Sequence, residues 1–375
     1  MKPIILSLVS LLLIGSVTGQ EHYLIAGTYN SPKSEGIYVY KFNSNDGSSK
    51  EISHIKTSNP SFVAISPDQK FVYAVHEIAN NNNGGEVAAF SFNKKNGVLT
   101  FINQQLTGGD HPCYVELDKT GKWLLVANYT SGSFSVLPVN KDGSLRVATT
   151  TIQHTGYGKI PGRQSGPHAH CAMLSADNRW LFVPDLGMDK VMIYSFDAKT
   201  GKVVAAKEPF AASEPGSGPR HFAFHPNNKF AYLVEEISGS VVSFKYNNGT
   251  LKSIQRISSL PVGDTGLIGS ADIHVSADGK FLYASNRGKE GSNTIAIFKI
   301  DPATGMLRSI GHQSTLGKIP RNFNFDPSGN FLLVANQESD DVVIFKRNKI
   351  TGLLTDSGKR INVGKPVCLK WMAIK

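Results

Sequence analysis

The chain has 375 residues, 40% of them apolar and 18% charged, with a formal net charge of +10. That balance supports a real core and excludes a long disordered tail. The basic residues are scattered, which excludes a nucleic-acid-binding stripe, and three cysteines, an odd number at wide spacing, exclude a disulfide framework.

The first segment differs from the rest. Lys2 precedes an apolar run at 4–14, and Gly15-Ser16-Val17-Thr18-Gly19 follows. This is the pattern of a secretory signal peptide over residues 1–19, too short and wrongly flanked for a membrane span. No cysteine follows directly, so a lipoprotein anchor is not expected. Residues 20–375 are expected to form one exported domain, periplasmic or extracellular, with no membrane contact after cleavage.

From there on the chain reads as short strands. "HYLIAGTY" (22–29), "GIYVYKF" and "EISHIKT" come first. One pattern then recurs: "SPDQKFVYAVHE" (66–77), "DKTGKWLLVANY" (118–129), "SADNRWLFVPDL" (175–186), "HPNNKFAYLVEE" (225–236), "SADGKFLYASNR" (276–287) and "DPSGNFLLVANQ" (326–337). Each is a polar turn followed by an aromatic-led β-rich run. The aromatic residues Phe71, Trp123, Trp180, Phe230, Phe281 and Phe331 are 52, 57, 50, 51 and 50 residues apart. A steady period near fifty marks an array of supersecondary units. Around each anchor lie an earlier apolar strand, such as "HFAFH", and two later ones, such as "GSVVSFKY" and "LKSIQRISSL". Four short antiparallel strands in fifty residues make a propeller blade. Asn residues at 80–83 read as a polar loop. The three cysteines, Cys113, Cys171 and Cys368, fall in apolar runs and are expected to be buried free thiols. No spacing suits a metal.

The two ends complete the count. The mature N-terminus supplies a second, third and fourth strand, and "PVCLKWMAI" (366–374) supplies the missing first. The expected fold is therefore all-β: a seven-bladed β-propeller, four antiparallel strands per blade, closed by pairing of the C-terminal strand with the N-terminal blade.

In such a blade the start of the first strand and the end of the second share a face. Pairing His225 with Phe230 sets Arg220 opposite Glu235, with Glu236 one step beyond. The same face collects His76 and Glu77, Asn128 and Tyr129, Asp185, Asn286 and Arg287, Asn336, His170 and Arg321, with His168 just before its strand. Asn128, Asn286 and Asn336 are also well suited to bonding neighbouring backbone. A cluster of cations with a carboxylate is costly to desolvate and points to a site.

These segments resemble the seven-bladed propeller lactonase family, which includes bacterial propeller-type 6-phosphogluconolactonases and fungal carboxymuconate lactonizing enzymes. The resemblance spans residues 22–373. Its carriers are "GTYN" (27–30), "HPCYVELDKTGKWLLVANY" (111–129), "GPHAH" (166–170), "GPRHFAFHPNNKFAYLVEE" (218–236), "ASNRG" (284–288) and "IPRNFNFDPSGNFLLVANQ" (319–337). It implies hydrolysis of a sugar lactone, such as 6-phosphogluconolactone, to the open-chain acid, with no cofactor. It also implies a catalytic set of His168 or His170, Arg220, Glu236 and Arg287. Glu236 or a histidine would activate water, and Arg220 and Arg287 would stabilise the oxyanion or grip an anionic group. His221, Arg321, Glu77, Asn128, Asp185 and Asn336 are the expected substrate contacts. The partner is then a small anionic lactone or sugar acid, and the protein a monomer. Two alternatives stay open: muconate-type lactonizing chemistry at the same site, and an exported propeller that binds a ligand without catalysis.

Overall fold

The computed structural model describes residues 21–79, 84–264, 269–288 and 292–374; the signal segment and the 80–83 loop lie outside them. Among the described residues there are seven four-stranded antiparallel sheets and no helix. Six of the sheets run in chain order from the axis outwards, as in Pro219–Phe224, Phe230–Glu235, Ser240–Asn247 and Thr250–Ser258, and the seventh takes its innermost strand from the C-terminus. This is the seven-bladed propeller that the fifty-residue period predicts.

The burial pattern follows from blade stacking. Second strands are covered on both faces by neighbouring blades, so every residue of Phe230–Glu235, Phe281–Asn286 and Phe331–Asn336 is buried. Hence these strands read as nearly unbroken apolar runs, whereas an outer strand such as Lys202–Ala212 is largely exposed. The aromatic anchors close the joints between blades. A Cβ on Gly305 would stand 2.4 Å from the Phe230 ring, and one on Gly201 2.4 Å from Trp123. Both glycines have positive φ, 75° and 72°, so these turns require glycine for conformation as well as for room. Phe71 meets Gly143, Trp180 meets Gly249, Phe281 meets Gly352 and Phe331 meets Gly47 in the same way. Each buried ring contributes about 2 kcal/mol.

The ring closes through both ends of the chain. Glu21–Thr28 pairs with Gly36–Asn43 on one side and with Pro366–Ala373 on the other, setting Leu24 opposite Trp371 and Ala26 opposite Leu369. Cys113, Cys171 and Cys368 are buried free thiols.

The register at the start of the inner strands differs from the expected one. Pro219, not Arg220, faces Glu235; His221 faces Val234, and Arg220 is the extra residue of a β-bulge. Shifts recur at Cys113, Arg321 and Val367. A bulge takes its residue out of the ladder and re-aims the side chain. Here the new direction is the axis, where Cys113, Arg220, Arg321 and Val367 line one cavity together with His170.

Candidate active site

The end of each second strand sends consecutive side chains in opposite directions. The earlier residue turns into the blades. Asn128 Nδ2 donates to Thr107 O (3.3 Å), Asn286 Nδ2 to Ser259 O (2.6 Å) and Asn336 Nδ2 to Thr315 O (3.2 Å). Asp185 accepts from His154 Nδ1 at 2.7 Å and from the His168 N–H at 2.7 Å, and Glu235 holds Arg256 at 2.9 Å. Asn128, Asp185 and Asn336 were expected to touch substrate. They are buried: Asn128 and Asn336 make the neighbouring-backbone bonds to which they are also suited, and Asp185 secures His154 and the His168 N–H.

The next residue turns to the axis. Glu236 Oε2 accepts from Arg220 Nε and Arg287 Nη2, both at 2.8 Å, and Oε1 accepts from Arg163 Nη2 at 2.5 Å. Carbonyls fix the two deeper guanidinium groups: Arg220 Nη1 donates to Ala271 O and Arg287 Nε to Gly269 O, each at 2.6 Å. Burial alone would raise the Glu236 pKa. Arg287, Arg220 and Arg163 outweigh burial and hold it at about 2. Burial brings Arg287 down to about 9, although Glu236 favours its charge. Glu77 anchors a second pair: Arg321 Nη2 lies 3.8 Å from its Oε1 and over the Tyr29 ring, while Tyr29 and Ser61 hydroxyls donate to Oε2. Four arginines thus face two glutamates around the mouth.

The two candidate histidines occupy different places. His168 stacks on Tyr129 with ring centroids 4.6 Å apart, and its Nδ1 is 3.0 Å from Tyr129 O. His170 lies in the cavity wall beside Arg220 and Arg321, its Nδ1 3.6 Å from Cys113 Sγ. Burial, then Arg220, push its pKa well below the ordinary histidine value. One residue further along the inner strands, His221, Asp272 and Asn322 take matching positions in successive blades and bond to one another. His221 Nδ1 donates to Asp272 Oδ1 at 2.8 Å, and Asn322 Nδ2 to Asp272 Oδ2 at 2.5 Å. Burial, then Arg220, lower the His221 pKa to about 4 against the pull of Asp272. The cavity at this level is about 10 Å³, room for one water molecule.

Comparison with known proteins agrees with the fold. Residues 23–371 match the family described as "Lactonase, 7-bladed beta-propeller". The chain belongs to this family. A relative from Formosa agariphila named 6-phosphogluconolactonase is 40% identical over 88% of this chain and 94% of its own. One of the same name from Bacillus subtilis is 37% identical over 92% and 97%. The solved structure of a periplasmic gluconolactonase from Pseudomonas aeruginosa is 39% identical, covers 95% of this chain and 100% of its own, and superimposes with a TM-score of 0.90.

Within this lactonase fold, the structure adds residues that the sequence reading missed. Arg163 enters from a loop outside the repeat and leaves no periodic signal. Tyr29 lies in the "GTYN" segment but was given no role there, and Ser61 precedes its strand in a stretch without a motif. Asp272 was hidden in "SADIHV", although aligning that strand with "PRHFAF" and "PRNFNF" sets it level with His221 and Asn322. Among the described residues, no group of three or more His, Cys, Asp or Glu is placed to hold a metal ion.

Proposed function

We propose that this protein is a lactone hydrolase acting on an anionic sugar-derived lactone such as 6-phosphogluconolactone. The observation that carries the reading is the excess of arginine around two glutamates at the axial mouth. Burying Arg220, 1% exposed, is costly for structure alone. An anionic lactone, or the oxyanion formed from its carbonyl, repays that cost.

In this reading Glu236 holds the arginines in place. A carboxylate with three guanidinium partners and a pKa of about 2 is a poor proton acceptor at neutral pH. Arg220 Nη2 and Arg287 Nη1 make no hydrogen bond to the described residues, and they are the donors for substrate. Water attacks the carbonyl directly, and a histidine takes its proton. The substrate contacts are Glu77, Arg321 and His221. Export is part of the proposal, supported by the composition of residues 1–19 and by the periplasmic Pseudomonas relative. Fractionation of cells carrying the full chain tests it: a cytoplasmic full-length protein contradicts export.

The enzymatic test follows acid formation from 6-phosphogluconolactone and gluconolactone at a pH where spontaneous opening is slow. Wild-type protein should accelerate at least one of them, with preference for the charged lactone. Turnover of muconates alone would assign the lactonizing alternative. Ligand-induced thermal stabilisation without turnover would assign a binding protein.

A further inference from the structure

We infer that His221 is the catalytic base that takes the proton from the attacking water, and that Asp272 positions it. The inference rests on the lactonase reading and deepens it.

Buried polar atoms nearly always have a hydrogen-bond partner, and an exception asks for a reason. His221 Nε2 is such an exception: it is buried and has no partner among the described residues. The other ring nitrogen is committed. Asp272 Oδ1 lies 2.8 Å from Nδ1, which puts the proton on Nδ1 and the lone pair on Nε2. Asp272 cannot turn away. Its Oδ1 also accepts the Ile273 N–H at 3.0 Å, and its Oδ2 accepts from Asn322 and from His274 Nε2 at 2.9 Å. His221 lines the one-water cavity, and so do Arg220 and Arg321. The cavity therefore places a water-sized space beside an available lone pair and two cations.

The other candidate bases are less suited. Glu236 is saturated by arginines. Among the described residues, the hydrogen-bond partner of His170 Nδ1 is the Cys113 thiol at 3.6 Å, and no carboxylate orients the ring. The groups facing His221 are Asp272 on the next blade, with His274 sharing that carboxylate, Arg220 beside it, Arg321 in the wall of the same cavity, His170 at 5.3 Å between ring centroids, and the rings of Phe62 and Tyr114. Burial and the cations keep the imidazole neutral at pH 7, so its lone pair is available there.

The step balances as follows. The water oxygen forms a bond to the lactone carbonyl carbon while one of its protons passes to His221 Nε2. The carbonyl oxygen takes the negative charge towards the arginines. On collapse, the bond from that carbon to the ring oxygen breaks, and the ring oxygen takes the proton back from His221 as the new hydroxyl. The sum is lactone plus water to hydroxy acid, with no other reactant.

Two variants test this on 6-phosphogluconolactone. His221→Gln should lower kcat about 10²–10⁴-fold with KM within about threefold, and should keep wild-type thermal unfolding. Asp272→Asn should lower kcat by about tenfold or more and move the acid limb of kcat/KM to lower pH, because the charge that favours imidazolium is gone; this shift decides the matter should His221→Gln not fold. A folded His221→Gln with kcat within about threefold of wild type overturns the inference, as does an unmoved acid limb in Asp272→Asn. Loss of kcat in His170→Gln but not in His221→Gln does the same. Wild-type protein that opens no lactone removes the lactonase reading and this inference together, whereas wild-type turnover with an indifferent His221→Gln removes the inference alone.

Discussion

Two levels of the axis differ in how their charged and titratable groups are matched. At the mouth, Glu236 carries three arginines, and carbonyls pin two of them. Deeper in, His221 has one ring nitrogen held by Asp272 and the other without a partner among the described residues. Matched charge makes a rigid frame for holding a substrate; an unmatched lone pair leaves capacity for proton transfer. The same contrast separates Glu235 from Glu236. They are neighbours in sequence, yet one is tied to Arg256 within its blade and the other faces the axis.

The largest effect should come from breaking the mouth. In the proposed reading Arg287→Ala removes a donor to the developing oxyanion, and it should lower kcat/KM about 10²–10³-fold, measured by acid formation. Arg287→Lys restores charge without the planar fork and should recover only part of this loss.

Acid unfolding should separate the two levels next. The folded-state pKa of His221 is lowered from 6.5 to about 4. Between those values the unfolded chain binds a proton that the folded chain does not, so stability falls as pH falls through that window. For Glu236 the lowering is from 4.5 to about 2. The stability it contributes is present above 4.5 and is lost on the way down to 2. Each loss is up to about 3 kcal/mol. Denaturant titrations across pH should show His221→Gln flattening the upper window and Glu236→Gln the lower.

Asn128→Ala serves as a control outside both levels. It should destabilise the fold by about 1–3 kcal/mol, from the unpaired Thr107 carbonyl, and leave KM unchanged. The smallest effect belongs to Arg163, whose side chain is 45% exposed. Arg163→Ala should raise KM for a charged lactone by about fivefold, equivalent to about 1 kcal/mol, and leave kcat and the KM for neutral gluconolactone unaltered.

The fold was legible because blade stacking imposes a fifty-residue period, and the anchors Phe71 to Phe331 mark joints that each need a facing glycine. The site was legible only as a face. Strand geometry brought Arg220, Glu236, Arg287 and Arg321 together in prospect, but it could not sort Asn128 from Tyr129 or Glu235 from Glu236. That division depends on which way consecutive side chains turn. The bulge at Arg220 was hidden because one extra residue leaves the apolar pattern intact. Arg163 was hidden because its loop belongs to no repeat. Asp272 was hidden because a buried aspartate in an inner strand shows its purpose only beside His221 of the preceding blade.

The division of labour along the axis is tested most directly by the wild-type pH profile of kcat/KM for 6-phosphogluconolactone from pH 2 to 7, with the product acid measured by chromatography. The account predicts a plateau through neutral and mildly acid pH and a fall with a midpoint near 4 as His221 protonates. Activity that persists until a midpoint near 2 would identify Glu236 as the proton acceptor and contradict it.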